Sequence, residues 1–308
     1  MKTATREPVA TTTPTTPRSH IPWFGNPWRK PRILEAITWV YLAWSVLPVT
    51  IAVLFSFNQG RSRSSWQGFS LTWWWEDPYE SLFRNPLLRP AIFQSFRLAI
   101  LTTLIAVPIG TAFAIGLDRW RGRPATAANF SVLMAFVVPE IILGLALFLS
   151  FEHLLTFIPL GTVAQVIGLV TWQIAYAVII VRARLLTIGR EYEEAAMDLG
   201  ASPTKSIRRV LLPLLTPAMF ASAAIVFADS IDDFVTVRYL SAASDTEPLS
   251  VKIYNAARAS PTPAVNAAAT FMLISTFTII TLGFIAYRVL TRGQRRESAV
   301  KEFVSLEV

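Results

Sequence analysis

Residues 190–213 read REYEEAAMDLGASPTKSIRRVLLP, a charged stretch between two long apolar segments. Small or apolar residues recur at helical spacing around its first half; they are Ile188, Tyr192, Ala195, Ala196 and Leu199. Gly200 follows the last of these, at the position where many helices end in a left-handed residue. Ser202 and Pro203 then provide a favourable N-cap and first-turn proline. The stretch predicts a helix, a glycine turn and a second helix that leads into the next apolar segment at Pro213.

Six apolar segments surround this stretch, each close to the length of about 20 residues that crosses a bilayer. They are residues 34–57, 93–117, 130–151, 157–181, 214–231 and 267–290. Hydrophobic residues make up 53% of the chain and charged residues 16%, with a mean hydropathy of +0.46. Soluble domains carry about 25% charged residues, so this composition argues against a soluble enzyme, a nucleic-acid binder or a disordered chain. We expect an all-α membrane protein with six continuous transmembrane helices.

The distribution of positive charge orients these segments. Of the 28 Lys and Arg residues, 20 lie in the N-terminal tail, the second and fourth connections and the C-terminal tail. Seven lie in the connections on the other side, and Arg97 lies within the second segment, where it can snorkel to the surface. Because cytoplasmic flanks are rich in Lys and Arg, both termini are predicted to be cytoplasmic.

Three regions follow from these patterns. Residues 1–33, of which the first 28 are rich in Thr and Pro, are predicted to form a disordered cytoplasmic tail. Residues 34–290 form the six-helix domain and include the connection 182–213. Residues 291–308 form a cytoplasmic C-terminal tail.

Few residues offer enzymatic or metal chemistry. The chain has no cysteine, and its two histidines, His20 and His153, lie far apart. No glycine-rich loop ends in Gly-Lys-Ser/Thr, so a Walker-type ATP site is absent from the sequence. We therefore predict neither a catalytic site, a metal site nor a bound cofactor in this chain, and a membrane enzyme is disfavoured.

Four carboxylates within or beside the apolar segments are candidate pathway residues. Glu140 follows Pro139 inside the third segment, where a charge is expensive and by default functional. It either lines a pathway that favours cations or pairs with a polar group to fix helix packing. Asp229, Asp232 and Asp233 cluster at the end of the fifth segment. They either attract a cationic substrate or form a solvated helix end.

The first connection contains four tryptophans, Trp66, Trp73, Trp74 and Trp75. Because tryptophan favours the membrane interface, we expect this connection to lie on the lipid headgroups. Contact with an external partner is the alternative.

The amino-acid sequence of the 190–213 stretch resembles the EAA signature of ABC-importer permeases, E-A-A-x3-G-x9-I-x-L-P. Glu194, Ala195, Ala196, Gly200, Leu212 and Pro213 match it, and Val210 replaces the usual Ile. Further stretches are similar to the spermidine/putrescine branch of these permeases. They are residues 66–70 (WQGFS), 138–141 (VPEI), 231–234 (IDDF), 248–254 (PLSVKIY) and 265–267 (VNA). The chain departs from that branch in Gln94-Ser95-Phe96, where Asn-Ser-Leu is usual, and lacks the glycine expected after Phe234.

The resemblance implies a MetI-like permease fold and a non-enzymatic subunit of an importer in the bacterial plasma membrane. ATP would be bound by a partner ABC ATPase dimer, and the other partners would be a second permease, an extracytoplasmic binding protein and the lipid bilayer, with no nucleic acid. Ala195 and Ala196 would allow close approach to the ATPase, and Gly200 would permit the turn that makes the helix protrude, before Pro213 closes the motif. Basic groups of the ATPase would pair with Glu193, Glu194 and Asp198. The implied substrate is a polyamine; thiamine, ferric iron, an aminophosphonate, or an independent channel or carrier are the alternatives.

Overall fold

The computed structural model describes residues 32–62, 64–119, 122–259 and 262–305, with side chains described as far as residue 289. Nearly all of the predicted disordered tail, and the end of the C-terminal tail, lie outside the described residues. The chain divides into two compact units, residues 1–49 and 50–308. All the sites discussed below belong to the second unit.

The described residues are helical apart from their connections, so the all-α prediction is confirmed. The helices are α1 Arg32–Phe55, α2 Leu88–Arg119, α3 Arg123–Val137, α4 Glu140–His153, α5 Thr162–Ile188, α6 Glu191–Asp198, α7 Pro203–Ser206, α8 Leu212–Asp232, α9 Val235–Leu240, α10 Leu249–Ala259 and α11 Pro263–Ser305. Two π-helical turns, Thr72–Glu76 and Ile207–Leu211, and one antiparallel bridge between Asn58 and Phe69 complete the regular structure of the described residues. The last helix therefore continues well past residue 290, where the predicted span ends.

Within the described residues, five stretches are long and apolar enough to cross a membrane, and a bent pair of helices brings the number to six. The pair is α3 and α4, which meet at an angle of 108°. The expectation of one continuous helix over residues 130–151 is therefore wrong. The reason is local: Pro139 disfavours helical backbone at Val138, and these residues have extended ψ angles of 129° and 131°.

Three of the spans, α2, α5 and α8, pack together as the centre of the second unit. Gly110 of α2 lies against α5, where an added Cβ would stand 2.5 Å from the Cβ of Ala177. At the α6 end of this group, Ala114, Val181 and Leu215 are buried together. The central helices thus form a close-packed unit that reaches from α6 to the opposite end of the protein.

The first connection folds over that opposite end. Trp73 and Trp74 are buried there, and their indole N–H groups donate to the backbone oxygens of Asn58 at 2.7 Å and Ser56 at 3.2 Å. Trp66 and Trp75 are half exposed. The headgroup interpretation therefore fails for the two buried tryptophans, which instead satisfy backbone groups of their own connection.

Candidate functional site

The 190–213 stretch forms a helical hairpin. Helix α6 ends at Asp198, and Gly200 has a φ of +86°. This left-handed conformation favours glycine, and Gly200 and the next residue donate their N–H groups to carbonyls of α6, at 2.9 and 3.0 Å. Ser202 occupies the N-cap position of α7, but its side chain makes no capping hydrogen bond. The predicted helix, turn and second helix are therefore present, without the predicted serine cap.

One face of α6 is open to a partner. Glu194, Ala195 and Asp198 are exposed, Ala196 is partly buried, and Leu199 at the tip is 90% exposed. An exposed apolar tip flanked by carboxylates is a surface that suits a protein partner with basic groups.

Pro213 is exposed in the first turn of α8. Helical backbone nevertheless runs from Pro203 through the π-helical turn Ile207–Leu211 into α8, so Pro213 lies inside a continuous helical stretch. The π-helical turn lies just before Pro213 in this stretch, and the helix continues past the proline to Asp232.

Glu193 differs from the prediction, because its side chain is buried and paired within the chain. Its carboxylate accepts from the guanidinium of Arg119, the last residue of α2. The Ser206 hydroxyl donates to the backbone oxygen of Glu193 at 3.3 Å. Glu193 thus faces the membrane-spanning helices, whereas Glu194 and Asp198 face outward.

The four candidate pathway carboxylates are brought together near the far end of α8. Glu140 begins α4 directly after the bend, and its side chain lies close enough to that of Asp233 for the two carboxyl groups to interact electrostatically. Asp232 lies within electrostatic range of both Asp229 and Glu140. We call Glu140, Asp229, Asp232 and Asp233 the acidic cluster.

The members of the acidic cluster differ in burial. Asp233 is buried and also accepts the N–H of Val237 at 3.1 Å, which fixes the start of α9. Asp232 is exposed, and Asp229 and Glu140 are intermediate. The interpretation as a solvated helix end therefore fits Asp232 but not Asp233.

Polar and aromatic residues of α5, which the sequence analysis missed, adjoin the cluster. The Gln173 amide donates to Asp229, and the other amide atom, Oε1, is buried without a partner. Tyr176 lies within electrostatic range of Asp229 and Glu140. Its ring makes edge contacts with Trp172 at 6.3 Å and with Phe136 at 5.2 Å between centroids. The signal in the sequence was a polar and aromatic run, TWQIAY, inside an apolar segment.

The acidic cluster has no positive partner in the described part of the chain. The ion pairs there involve other carboxylates, those of Glu80, Asp118, Glu193 and Glu247. The described residues also contain no group of three His, Cys, Asp or Glu side chains arranged to hold a metal ion. The cluster is therefore a site of uncompensated negative potential beside aromatic rings.

Comparison with known families identifies the chain. Residues 106–296, which include α6 and the acidic cluster, match the model of the binding-protein-dependent transport system inner membrane component. The chain belongs to this family. It is a permease subunit of an ATP-binding cassette importer.

Curated relatives match most of this permease. The spermidine/putrescine transport system permease protein PotC of Haemophilus influenzae is 32% identical, over 82% of this chain and 96% of its own length. The putrescine transport system permease protein PotI of Escherichia coli is 30% identical, over 90% of this chain and 96% of its own. The molybdenum transport system permease protein ModB of Mycobacterium bovis is 28% identical, over 66% of this chain and 81% of its own.

Solved structures share the fold. A bacterial ABC transporter that imports the acidic polysaccharide alginate matches with a TM-score of 0.64 at 15% identity, over 84% of this permease and 96% of that chain. The MetNI methionine ABC transporter in an inward-facing conformation matches with a TM-score of 0.54 at 20% identity, over 68% of this permease and 95% of that chain. The predicted MetI-like permease fold is confirmed.

Proposed function

We propose that this permease forms half of the pathway of a polyamine importer in a bacterial plasma membrane, with both termini in the cytoplasm. The observation that carries the proposal is the acidic cluster, which has no positive partner in the described residues. The names of its relatives PotC and PotI support the same substrate class.

Polyamines suit this site chemically. They are flexible chains of ammonium groups joined by short methylene segments, so they need spaced carboxylates and apolar faces. Carboxylates in a membrane are expensive unless paired, and a bound polycation offsets that cost. The rings of Trp172 and Tyr176 beside Asp229 add faces on which an ammonium group is attracted by cation–π interaction. The free Gln173 oxygen is one more acceptor.

The energy for transport comes from partner subunits in this proposal. The exposed face of α6 docks on one subunit of an ABC ATPase dimer that binds the ATP, and this chain is not an enzyme. A second, homologous permease completes the pathway, and an extracytoplasmic binding protein delivers the substrate. Closure of the ATPases moves the docked helices and switches the pathway by rigid-body rotation.

Uptake of labelled spermidine and putrescine tests the substrate. The host lacks its own polyamine importers and expresses this chain with the ATPase, permease and binding-protein genes beside it. We expect ATP-dependent uptake that falls by about tenfold or more in Glu140→Gln and Asp229→Asn, because each loses ~1.4 kcal/mol or more of attraction. Glu152→Gln is the matched control, because Glu152 is an exposed carboxylate at the other end of α4.

Other solutes decide between the alternatives. Thiamine, ferric iron, an aminophosphonate and the oxyanion molybdate are tested in the same cells. Uptake of one of these solutes without polyamine uptake would support the importer role and show that this solute, rather than a polyamine, is the substrate. Polyamine uptake without any ATPase would instead indicate an independent channel or carrier.

Glu194→Lys tests the coupling surface. Reversing an exposed charge on α6 is expected to abolish uptake and to reduce the amount of ATPase that co-purifies. Wild-type uptake at equal membrane abundance would remove Glu194 from the docking surface.

A further inference from the structure

Each backbone connection between helix α6 and its neighbours contains a glycine in a left-handed conformation. Gly189, with a φ of +73°, joins it to α5, and Gly200, with a φ of +86°, joins it to α7. Glycine adopts such backbone readily and resists rotation poorly. A displacement of α6 is therefore poorly transmitted along the backbone and must pass through non-covalent contacts. Helix α6 packs on α7 and on the π-helical turn that leads into α8, and a joint to a second spanning helix would add a further route.

The structure contains such a joint at the end of α2. The first turn of α6 supplies Glu193, whose buried carboxylate pairs with Arg119. The residue before α6, Arg190, donates to the backbone oxygen of Asp118, and its guanidinium lies 3.6 Å from the Asp118 carboxylate. Arg119 also pairs with Asp118. Glu193 of α6 and Arg190 just before it thus attach to the last two residues of α2.

Helix α2 is suited to carry a displacement away from this joint. It is continuous over 32 residues, a length of about 48 Å at 1.5 Å per residue. It packs against α5 and α8. At its other end, the Ser95 hydroxyl accepts the N–H of Leu249 at 2.9 Å, and Gln94 donates to Gln165 at 2.8 Å. A continuous helix therefore connects α6 to the start of α10 and to α5.

We infer that the Glu193–Arg119 pair, supported by Arg190 and Asp118, is the joint that transmits movement of α6 to α2. Glu193 is a positioning residue for transport, distinct from the exposed Glu194, and the joint stays closed through the transport cycle. The inference rests on the proposed role of α6 as the helix that docks on the ATPase. It does not depend on which solute is carried.

The two neighbouring glutamates give opposite expected outcomes. Glu193→Gln should lower the ratio of solute uptake to ATP hydrolysis by about tenfold, ~1.4 kcal/mol, while the ATPase still co-purifies and hydrolyses ATP. The matched control Glu194→Gln should weaken ATPase co-purification and lower uptake and hydrolysis in equal proportion. Equal loss of uptake and hydrolysis in Glu193→Gln would overturn the inference.

A cross-link separates a joint from a merely structural role. The chain has no cysteine, so Arg119→Cys combined with Glu193→Cys offers one pair to a short bismaleimide. Before cross-linking, the double variant should have a low ratio of uptake to ATP hydrolysis. After cross-linking, the ratio should return to the wild-type value. Cross-linked protein that still has the low ratio, or that stops hydrolysing ATP, would show that the pair is not a closed joint.

A third measurement needs no transported solute. In the full assembly, a single Arg97→Cys on the exposed side of α2 is labelled with a water-soluble maleimide, with and without trapped nucleotide. Trapping should change the labelling rate severalfold, and Glu193→Gln should remove the change. An equal change in both backgrounds would overturn the inference. Absence of polyamine uptake in the wild type would instead count against the proposed substrate alone.

Discussion

The helical hairpin of α6 and the acidic cluster lie at opposite ends of α8, and they are assembled in different ways. The hairpin is built from neighbours in sequence, since Gly200 and Ala201 donate to carbonyls of α6 only three and five residues earlier. The acidic cluster joins Glu140 to Asp233 through the bend between α3 and α4. Local geometry thus forms the surface offered to a partner, and tertiary packing forms the site offered to a solute.

Their dependence on the central helices differs accordingly. The hairpin needs only its end of α2, where Arg119 meets Glu193. The cluster needs α4, α5 and α8 in register, because Gln173 of α5 binds Asp229 of α8 and Glu140 of α4 reaches Asp233. Changes in the packing of the central helices should therefore damage the cluster before the hairpin.

The largest effect is expected from Gly110→Ala, which tests the packing beneath both regions. The new Cβ would stand 2.5 Å from the Ala177 Cβ and 3.2 Å from the backbone oxygen of Ile174, so α2 and α5 must separate. We expect a loss of about 1–3 kcal/mol in the free energy of unfolding, measured by denaturation in detergent. In Gly116→Ala the same change meets nothing within 4 Å, so it should be neutral or stabilising by about 0.5–1 kcal/mol. Equal destabilisation by both changes would contradict this account.

Pro139→Ala should separate the two regions. Removing the ring relieves the restriction on Val138, so the bend that places Glu140 beside Asp233 is less strongly fixed. We expect uptake to fall by about fivefold to tenfold, ~1–1.4 kcal/mol, while the ATPase co-purifies as in the wild type. Pro108→Ala is the control, because α2 continues through Pro108 without a break. A loss of ATPase binding in Pro139→Ala would show that the bend also supports the hairpin.

The hairpin was predictable because its signals are local. The helical spacing of small residues, the glycine and the following proline each act within one or two turns, and the structure has the predicted order of elements. The number and approximate positions of the apolar segments were predictable for the same reason. The break at Val138-Pro139 was missed because a proline within an apolar run is compatible with both a kinked helix and a broken one. Tertiary packing of α4 decides between them, and spacing carries no information about it.

The acidic cluster was only partly predictable. Each carboxylate stood out because charges are rare in apolar segments, but their proximity depends on a 108° bend. Gln173 and Tyr176 were missed because the run TWQIAY that contains them does not show which carboxylates they face, and only the packing of α5 against α4 and α8 brings them beside Asp229. The burial of Glu193 was missed because three similar glutamates, Glu191, Glu193 and Glu194, lie close together in the sequence. Only the position of Arg119 in the fold distinguishes the buried glutamate from its two exposed neighbours.

Gly200 tests the conformational requirement of the hairpin. Nothing lies within 4 Å of a Cβ at this position, so only the positive φ opposes a side chain. Gly200→Val should lower the free energy of unfolding by ~1–2 kcal/mol and lower coupled uptake severalfold. Gly200→Asn should retain most of the uptake, because asparagine tolerates this conformation. Gly200→Asp has nearly the shape of Asn but adds a negative charge beside Asp198, and we expect it to block transport without preventing insertion. Uptake, ATPase co-purification and membrane abundance are measured for all three. Equal uptake for Asn and Asp would show that charge at the tip does not matter.

The smallest effect is expected from Ser202→Ala at the start of α7. A serine at an N-cap commonly contributes about 1 kcal/mol, but the Ser202 side chain makes no capping hydrogen bond, although its backbone is extended as in an N-cap. The Ser206 N–H instead bonds to the Ser202 backbone oxygen at 2.9 Å, which alanine preserves. We therefore expect a change in unfolding free energy below about 0.5 kcal/mol and unchanged uptake. A loss near 1 kcal/mol would mean that the Ser202 side chain caps α7 in the working protein, and that even this short helix depends on its N-cap residue.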